Sequence, residues 1–165
     1  MDSSVHLDHP LAPVYNAASQ ILILGSFPSV RSRQSGFYYG HPQNRFWPLL
    51  ARLLQEARPE TIPEKQALLL RHRIALWDTL ASCSIKGSRD NSIQDAVPCD
   101  LQPILRQAAI RQIFVNGRAA ARFYQRYQQP ITGLTAVTLP STSPANAAWS
   151  LDRLYEAWRV ILRYL

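Results

Sequence analysis

Short apolar runs recur along the chain, and each one stops at a polar or structure-breaking residue. The runs occupy positions 20–24, 74–77, 113–115 and 135–139, and they end at Gly25, Asp78, Asn116-Gly117 and Pro140. A continuous apolar run of this length is typical of a strand that is covered on both faces, as in a parallel sheet. The pattern therefore predicts four buried strands.

Segments with helical periodicity lie between and after these runs. Apolar residues share one helix face over 46–54 and again over 151–165, which is the strongest stripe in the chain. Shorter helices are predicted after Pro63, after a cap at Asp100, and around Ala120 to Tyr127. Alternation of strands and helices predicts an α/β fold, with a four-stranded parallel sheet covered by helices on both faces.

The length of 165 residues suits a single domain, with positions 1–19 as a lead-in that contains Pro10 and Pro13. No apolar run approaches the roughly 18 residues of a membrane span, and the first residues lack the pattern of a signal peptide. We therefore expect a cytoplasmic protein with no membrane partner. Its two cysteines, Cys83 and Cys99, are then expected to be reduced thiols.

The charge balance narrows the range of partners. Lysine and arginine together number 18 against 11 acidic residues, for a formal net charge of +7, and Lys65 and Lys86 are the only lysines. Arginine binds phosphate in a bidentate manner, so the excess favours a polyanionic partner. A GC-rich genome would produce the same bias, and composition alone leaves both explanations open.

Candidate chemistry falls where the predicted strands end, because ligands of parallel sheets bind beyond the carboxyl ends of the strands. The first turn, Gly25-Ser-Phe-Pro-Ser29, is neither a P-loop nor a dinucleotide-binding fingerprint. The following segment, 36–47, combines aromatic rings with His41, Asn44 and an arginine. Such a set suits a pocket that stacks a planar ring and hydrogen-bonds its edge. We assign Phe46 and Trp47 to the core and Tyr39, His41 and Asn44 to the pocket.

A third segment, Leu139-Pro-Ser-Thr-Ser-Pro-Ala-Asn146, follows the last predicted strand. Small hydroxyl residues between prolines form a stiff loop whose hydroxyl and N–H groups can bind a phosphate. The arginines of the last helix, at 153, 159 and 163, are interpreted as a solvated face.

Together these three segments resemble the uracil-DNA glycosylase superfamily. Within it they resemble the hypoxanthine-DNA (deoxyinosine) glycosylase branch, also called family 6. The most specific part of this likeness is the segment Tyr39-Gly-His-Pro-Gln-Asn-Arg-Phe-Trp47. The likeness runs in matching order from Ile21 to Leu165. It implies a three-layer α/β/α sandwich around a central four-stranded parallel sheet, in agreement with the fold expected from the apolar pattern.

Two positions depart from the wider superfamily. Phe27 stands where most branches carry the Asp or Asn that positions water, and Leu139 stands where many uracil enzymes carry a His. In the hypoxanthine branch a downstream Asn supplies the catalytic amide, and the resemblance places that role on Asn44.

The resemblance also implies roles for the other site residues. The base pocket would comprise Gly25, Ser26, Phe27, Tyr39 and Asp78, with Asp78 accepting a hydrogen bond from a purine N1–H or, alternatively, only capping a turn. His41 would contact a phosphate or support Asn44. DNA contacts would come from Ser141, Thr142, Ser143, Pro144, Ala145 and Asn146, with the wedge among the last three. Arg31, Arg33, Lys86 and Arg89 are expected to face DNA, whereas Arg52, Arg111 and Arg126 are not.

The implied activity is hydrolysis of the N-glycosidic bond of deaminated bases in double-stranded DNA, hypoxanthine first, as a step of base excision repair. The enzyme would be a monofunctional monomer that needs no metal and no cofactor. Two alternatives keep the same fold: a uracil or G:U/T mismatch-specific glycosylase, and a catalytically silent domain that binds damaged DNA. A serine hydrolase is disfavoured, because there is no Gly-x-Ser-x-Gly elbow and no histidine follows the last strand.

Overall fold

The computed structural model describes residues 4–86 and 92–165, so the expectation for Arg89 lies outside the described residues. Seven strands are present in this part of the chain: β1 (Val5–Asp8), β2 (Ile21–Gly25), β3 (Ile74–Asp78), β4 (Leu80–Ile85), β5 (Gln94–Pro98), β6 (Gln112–Asn116) and β7 (Ala136–Leu139). The α-helices are α1 (Val30–Ser35), α2 (Phe46–Leu54), α3 (Ile62–Arg71), α4 (Gln102–Gln107), α5 (Arg118–Phe123), α6 (Gln129–Thr132) and α7 (Leu151–Trp158).

The four predicted strands form one parallel sheet in the order β3-β2-β6-β7. The central strand β2 is buried along its whole length. Its alternate side chains separate two cores: Ile21 and Ile23 pack with α2 and α7, while Leu22 and Leu24 pack with α4 and α5. The α/β prediction is therefore confirmed, with helices on both faces of a four-stranded parallel sheet.

Two of the predicted α-helices do not stay α-helical to their ends, since one continues as a 3-10 helix and the other as a π-helical turn. The last stripe forms α7 and then a 3-10 helix, Arg159–Tyr164. After α5 the chain widens into a π-helical turn, Tyr124–Gln128. Gln128 is buried there and its side-chain amide donates to the carbonyls of Thr79 and Cys99. This turn therefore anchors the segment that follows β3.

The assignment of residues 1–19 to a lead-in is wrong for the described part of that segment. Strand β1 pairs antiparallel with β4, and β5 pairs with the other edge of β4, which gives a second, three-stranded sheet. Val14 forms a further bridge with Leu76 of β3. The apolar pattern missed β1 and β5 because both are largely exposed edge strands that lack a buried face.

The same sheet takes up the residues that follow Asp78. Strand β4 begins only two residues later, at Leu80, and it is held there by backbone hydrogen bonds from Thr79 N to Gly25 O and from Leu80 N to Ser26 O. The ends of β2 and β3 are thereby locked to each other. No helix within the described residues is long and apolar enough to cross a membrane.

Both cysteines are buried and unpaired with each other. Burial is the main cause that raises the pKa of the Cys99 thiol to about 12, and the negative charge of Asp78 adds to it. The thiol of Cys99 is therefore protonated and unreactive at neutral pH.

Candidate active site

A cavity of about 110 Å³ opens at the carboxyl ends of the parallel strands. Three segments surround it: the turn after β2 (25–29), residues Tyr38, Tyr39 and Asn44, and the loop after β7 (141–143). Asp78 at the end of β3 and Asn116 at the end of β6 complete the lining. The three segments singled out in the sequence therefore meet at one place.

Gly25 and Asp78 form the floor of this cavity. They are register partners in the β2–β3 pair, so their backbones lie side by side. A Cβ on Gly25 would lie 2.5 Å from Asp78 Oδ1 and 3.1 Å from the Tyr39 hydroxyl. Glycine is required here by this close approach, because any larger residue would occupy the space beside the carboxylate.

Tyr39 forms a wall of the cavity in a strained backbone conformation, with φ of 54°. Its ring stacks on Phe46 at a centroid distance of 4.1 Å. The hydroxyl is buried and has no hydrogen-bond partner among the described residues. Burial raises the pKa of this phenol, the nearby Asp78 raises it further, and the Asn116 side chain offsets only part of the increase. Tyr39 is therefore neutral and can donate a proton for which no described residue is an acceptor. Such a group is suited to meet a polar atom of a ligand.

Phe27 also lines the cavity and is 9% exposed. Its ring belongs to a small core with Leu80 and Phe123, and the Arg33 guanidinium lies 5.8 Å from the ring centroid. The N–H of Phe27 has no hydrogen-bond partner among the described residues. Phe27 thus contributes to the cavity lining an aromatic residue whose backbone N–H has no partner within the described part of the chain.

Asn44 faces the cavity from the start of α2. Its Oδ1 accepts a hydrogen bond from Phe46 N at 2.9 Å, and its own N–H donates to His41 O. The side chain is therefore held in place by the helix end that it caps. An amide oxygen has a second lone pair, which remains to accept a hydrogen bond from water.

His41 lies beside Asn44 and not in the cavity itself. Its Nδ1 accepts from Gln43 N at 3.0 Å, so the ring nitrogen that carries the proton is Nε2. The ring lines a neighbouring cleft of about 170 Å³ together with Arg58 and Lys65. This placement is compatible with both predicted roles, because His41 braces the turn that carries Asn44 and borders a cationic cleft.

The loop after β7 is built around Thr142, whose side chain is fully buried. Asn116 clamps it from both sides: Asn116 Nδ2 donates to Thr142 Oγ1 at 3.0 Å, and Thr142 N donates to Asn116 Oδ1 at 3.1 Å. The DNA contact predicted for Thr142 stays a prediction, and in this structure its side chain is buried and held by Asn116. Sequence reasoning missed this because an internal clamp and an exposed hydroxyl look alike in a Ser/Pro-rich segment.

The remaining loop residues are partly exposed, and most of their N–H groups are already used. Ser143 N donates to Ser141 Oγ, Ala145 N to Ser143 Oγ, and Asn146 N to Ser143 O. The predicted phosphate contacts through these N–H groups are therefore not available without breaking the loop. The hydroxyl protons of Ser141 and Ser143 remain, and Pro144 and Ala145 lie at the tip.

Arg45 holds this loop to the start of α2, a role that sequence reasoning missed. Its guanidinium donates to the carbonyls of Ser143 at 2.9 Å, Asn146 at 3.0 Å and Trp149, and its backbone N donates to Thr142 O. The residue next to Asn44 thus fixes the loop that follows β7. The one sequence feature that could have drawn attention to Arg45 is its position directly after Asn44.

Which cations face DNA stays a prediction; the structure places Arg31 and Arg33 on α1. The Arg33 guanidinium donates to Pro28 O, and Arg31 is exposed. Arg52 and Arg111 are bound to Asp152 and to Tyr164 O, away from the cavity. A larger cleft of about 680 Å³ adjoins the cavity along Asn116 and Ser141, and it is lined by Arg118 and Arg122.

His9 is the second residue that sequence reasoning missed. It follows β1 directly, and its Nε2 lies 2.8 Å from Asp78 Oδ2. Both side chains are 4% exposed. No local motif marks His9, because it reaches Asp78 only through the pairing of β1 with β4, 69 residues away in sequence.

A family model and two named relatives all point to the same superfamily. Residues 12–163 match the model of the Uracil DNA glycosylase superfamily. A protein of Methanosarcina acetivorans named hypoxanthine DNA glycosylase is 36% identical over 155 residues, which cover 92% of this chain and 95% of that one. A protein of the same name from Methanosarcina barkeri is 31% identical over 140 residues, covering 81% and 85%.

A solved structure gives the same result at the level of the fold. The solution NMR structure of a candidate uracil DNA glycosylase from Methanosarcina acetivorans superposes with a TM-score of 0.81 at 32% identity. The match covers 96% of this chain and 98% of that chain.

Replacing Arg45 by lysine tests the clamp. The three carbonyls are bound by two different guanidinium nitrogens, and the single nitrogen of an ammonium group cannot occupy both positions. Arg45→Lys is therefore expected to lower the free energy of unfolding by about 2 kcal/mol. Amide hydrogen exchange over 143–149 should accelerate in the same variant. Arg52→Lys, which alters an exposed ion pair with Asp152, serves as the matched control. Unchanged exchange in Arg45→Lys would contradict the clamp.

Proposed function

Because this chain belongs to the uracil DNA glycosylase superfamily, we propose that it is a monofunctional DNA glycosylase that removes deaminated bases, hypoxanthine first, from double-stranded DNA. The observation that carries the proposal is the cavity between the β2 turn, Tyr39 and Asn44, with the Asp78 carboxylate on its floor. Two relatives named hypoxanthine DNA glycosylase, each matched over most of its length, support the same substrate.

The cavity suits a base that has been flipped out of the duplex. Flipping costs a few kcal/mol and is easiest at a weak mispair, such as hypoxanthine opposite thymine. In the cavity the base would lie between Phe27 and Tyr39, with Asp78 Oδ1 accepting its N1–H. The N–H of Phe27 and the hydroxyl of Tyr39 are then the donors for the base carbonyl. These two groups have no partner among the described residues of the free protein.

Hydrolysis requires water at C1′ and stabilisation of the departing base. The bond between C1′ and the base nitrogen breaks, its electron pair leaves with the base, and water supplies the new C1′–O bond and the proton that the base takes up. Asn44 is too weak a base to remove a proton early, so its contribution is to hold the water through the free lone pair of Oδ1. The donors around the base carbonyl stabilise the charge that grows on the ring.

DNA would lie across the edge of the sheet where the cavity opens. The net charge of +7 supplies the sequence-independent part of binding. The hydroxyls of Ser141 and Ser143, the exposed tip at Pro144 and Ala145, and His41 are the groups that we assign to the DNA backbone and to the gap left by the flipped base. We propose that the protein acts as a monomer, because one cavity on one chain contains the whole site.

Incubation with a panel of duplexes tests the substrate. Duplexes that carry one inosine, uracil, xanthine or mispaired thymine are treated with the protein, and abasic sites are then cleaved by alkali. We expect inosine opposite thymine to be cleaved fastest. Faster release of uracil would assign a uracil enzyme, and tight binding to damaged duplexes without release of any base would assign a silent damage-binding domain.

Asn44→Ala tests the water-holding residue. We expect excision of hypoxanthine to fall by about 100-fold or more, because the water loses its position beneath C1′. The substitution also removes a helix cap, so Thr61→Ala, which removes the cap of α3 far from the cavity, is the matched control for stability. If Asn44→Ala excised hypoxanthine as fast as Thr61→Ala, the assignment would be wrong.

Gly25→Ala tests the space beside Asp78. The added methyl group would lie 2.5 Å from Asp78 Oδ1, so the floor of the cavity must shift and the base cannot reach its full depth. We expect excision to fall by at least about 100-fold while the affinity for undamaged duplex is unchanged. Gly133→Ala, where the methyl group meets open space but the backbone is strained at φ of 69°, is the control for a loss of stability away from the cavity. Full activity of Gly25→Ala would refute the position of the base.

A further inference from the structure

The histidine beside the cavity floor gives the Asp78 carboxylate a defined orientation. His9 Nδ1 accepts a hydrogen bond from Leu11 N at 3.1 Å. A backbone N–H can only donate, so Nδ1 is unprotonated and the ring proton is on Nε2. Nε2 therefore donates to Asp78 Oδ2 at 2.8 Å. The neutral ring supplies one donor to one carboxylate oxygen.

The position of the His9 ring is fixed by its surroundings. Its backbone N donates to Ala81 O at 2.7 Å, next to the β1–β4 pairing. The ring packs edge-on against Phe27 at 5.7 Å and Trp77 at 6.3 Å between centroids. The ring therefore has little freedom to turn away from Asp78.

Because Oδ2 is occupied by His9, the other oxygen is the one that faces the cavity. Asp78 Oδ1 lies next to Gly25, at the point where the missing Cβ would be. No described side chain donates a hydrogen bond to it. An acceptor that is fixed in this way demands a donor from the ligand, since a buried carboxylate oxygen without a partner is costly.

Deamination changes the ring nitrogen that such an acceptor would meet. Hypoxanthine and uracil carry a lactam N–H, whereas adenine N1 and cytosine N3 carry a lone pair. A carboxylate oxygen attracts the N–H of hypoxanthine and uracil, and it repels the lone pair of adenine N1 and cytosine N3. Guanine also has an N1–H, so its exclusion must rest on another contact.

We propose that His9 is a positioning residue that holds Asp78 as an oriented hydrogen-bond acceptor, so that the pocket distinguishes deaminated bases from adenine and cytosine. This inference rests on the proposed function, since it concerns the specificity of the same cavity. It gives the N-terminal segment, which supplies no other wall of the cavity, a direct part in substrate choice.

Three variants separate the hydrogen bond from the packing of the ring. His9→Gln places an amide N–H near the position of Nε2, while His9→Phe keeps a ring without a donor. His6→Phe alters an exposed histidine on the preceding strand β1 and is the matched control. If His9→Phe does not fold, His9→Asn replaces it, because its shorter side chain can accept from Leu11 N but does not reach Asp78.

The measurement is affinity for uncleavable duplexes, so it does not depend on catalysis. Each duplex carries 2′-fluoro-deoxyinosine or 2′-fluoro-deoxyadenosine opposite an abasic spacer, which removes differences in base pairing. Wild type, His6→Phe and His9→Gln should prefer the inosine duplex. His9→Phe should reduce that preference by at least about tenfold, with its affinity for undamaged duplex unchanged.

A double-mutant cycle identifies the residue through which His9 acts. On an Asp78→Asn background, His9→Phe should cause no further loss of preference. Additive losses, failure of His9→Gln to restore the preference, or a wild type without any preference for inosine would each overturn the inference. A wild type that prefers the inosine duplex but releases no base would instead contradict the proposed function.

Discussion

The parallel register that places Gly25 beside Asp78 is the constraint on which the rest of the site depends. It puts a residue without a side chain next to a buried carboxylate at the carboxyl edge of the sheet. The space left by the missing Cβ is where Asp78 Oδ1 and the Tyr39 hydroxyl meet. The cavity exists because no side chain fills that space, and its floor is polar because β3 ends in an aspartate.

A carboxylate at this depth needs a partner from the protein, and the chain recruits one from far away. His9 reaches Asp78 through a second, antiparallel sheet whose edge strand β1 is mostly exposed. That sheet thus does more than cover the core: it delivers one donor to the site. The backbone pairing of β1 with β4 sets the register that brings His9 to Asp78.

The other half of the site is held together by two neighbouring residues with different tasks. Asn44 caps α2 and faces the cavity, while Arg45 turns to the opposite side and binds three carbonyls of the loop after β7. Asn116 and Thr142 close the same loop from the sheet. The residue that we assign to water and the loop that we assign to DNA are therefore positioned by one short segment.

The sequence by itself determined the four buried strands, the helices on both faces, and the three segments that meet at the carboxyl edge, because each has a local signature. The same local signatures made it possible to predict four residues of the cavity, namely Gly25, Tyr39, Asn44 and Asp78. The tertiary structure alone decided that Thr142 is an internal clamp, that Arg45 serves the loop, and that His9 faces Asp78. Each of these depends on a contact between residues 26 to 100 or more positions apart, and no local pattern records which distant group a polar side chain will meet.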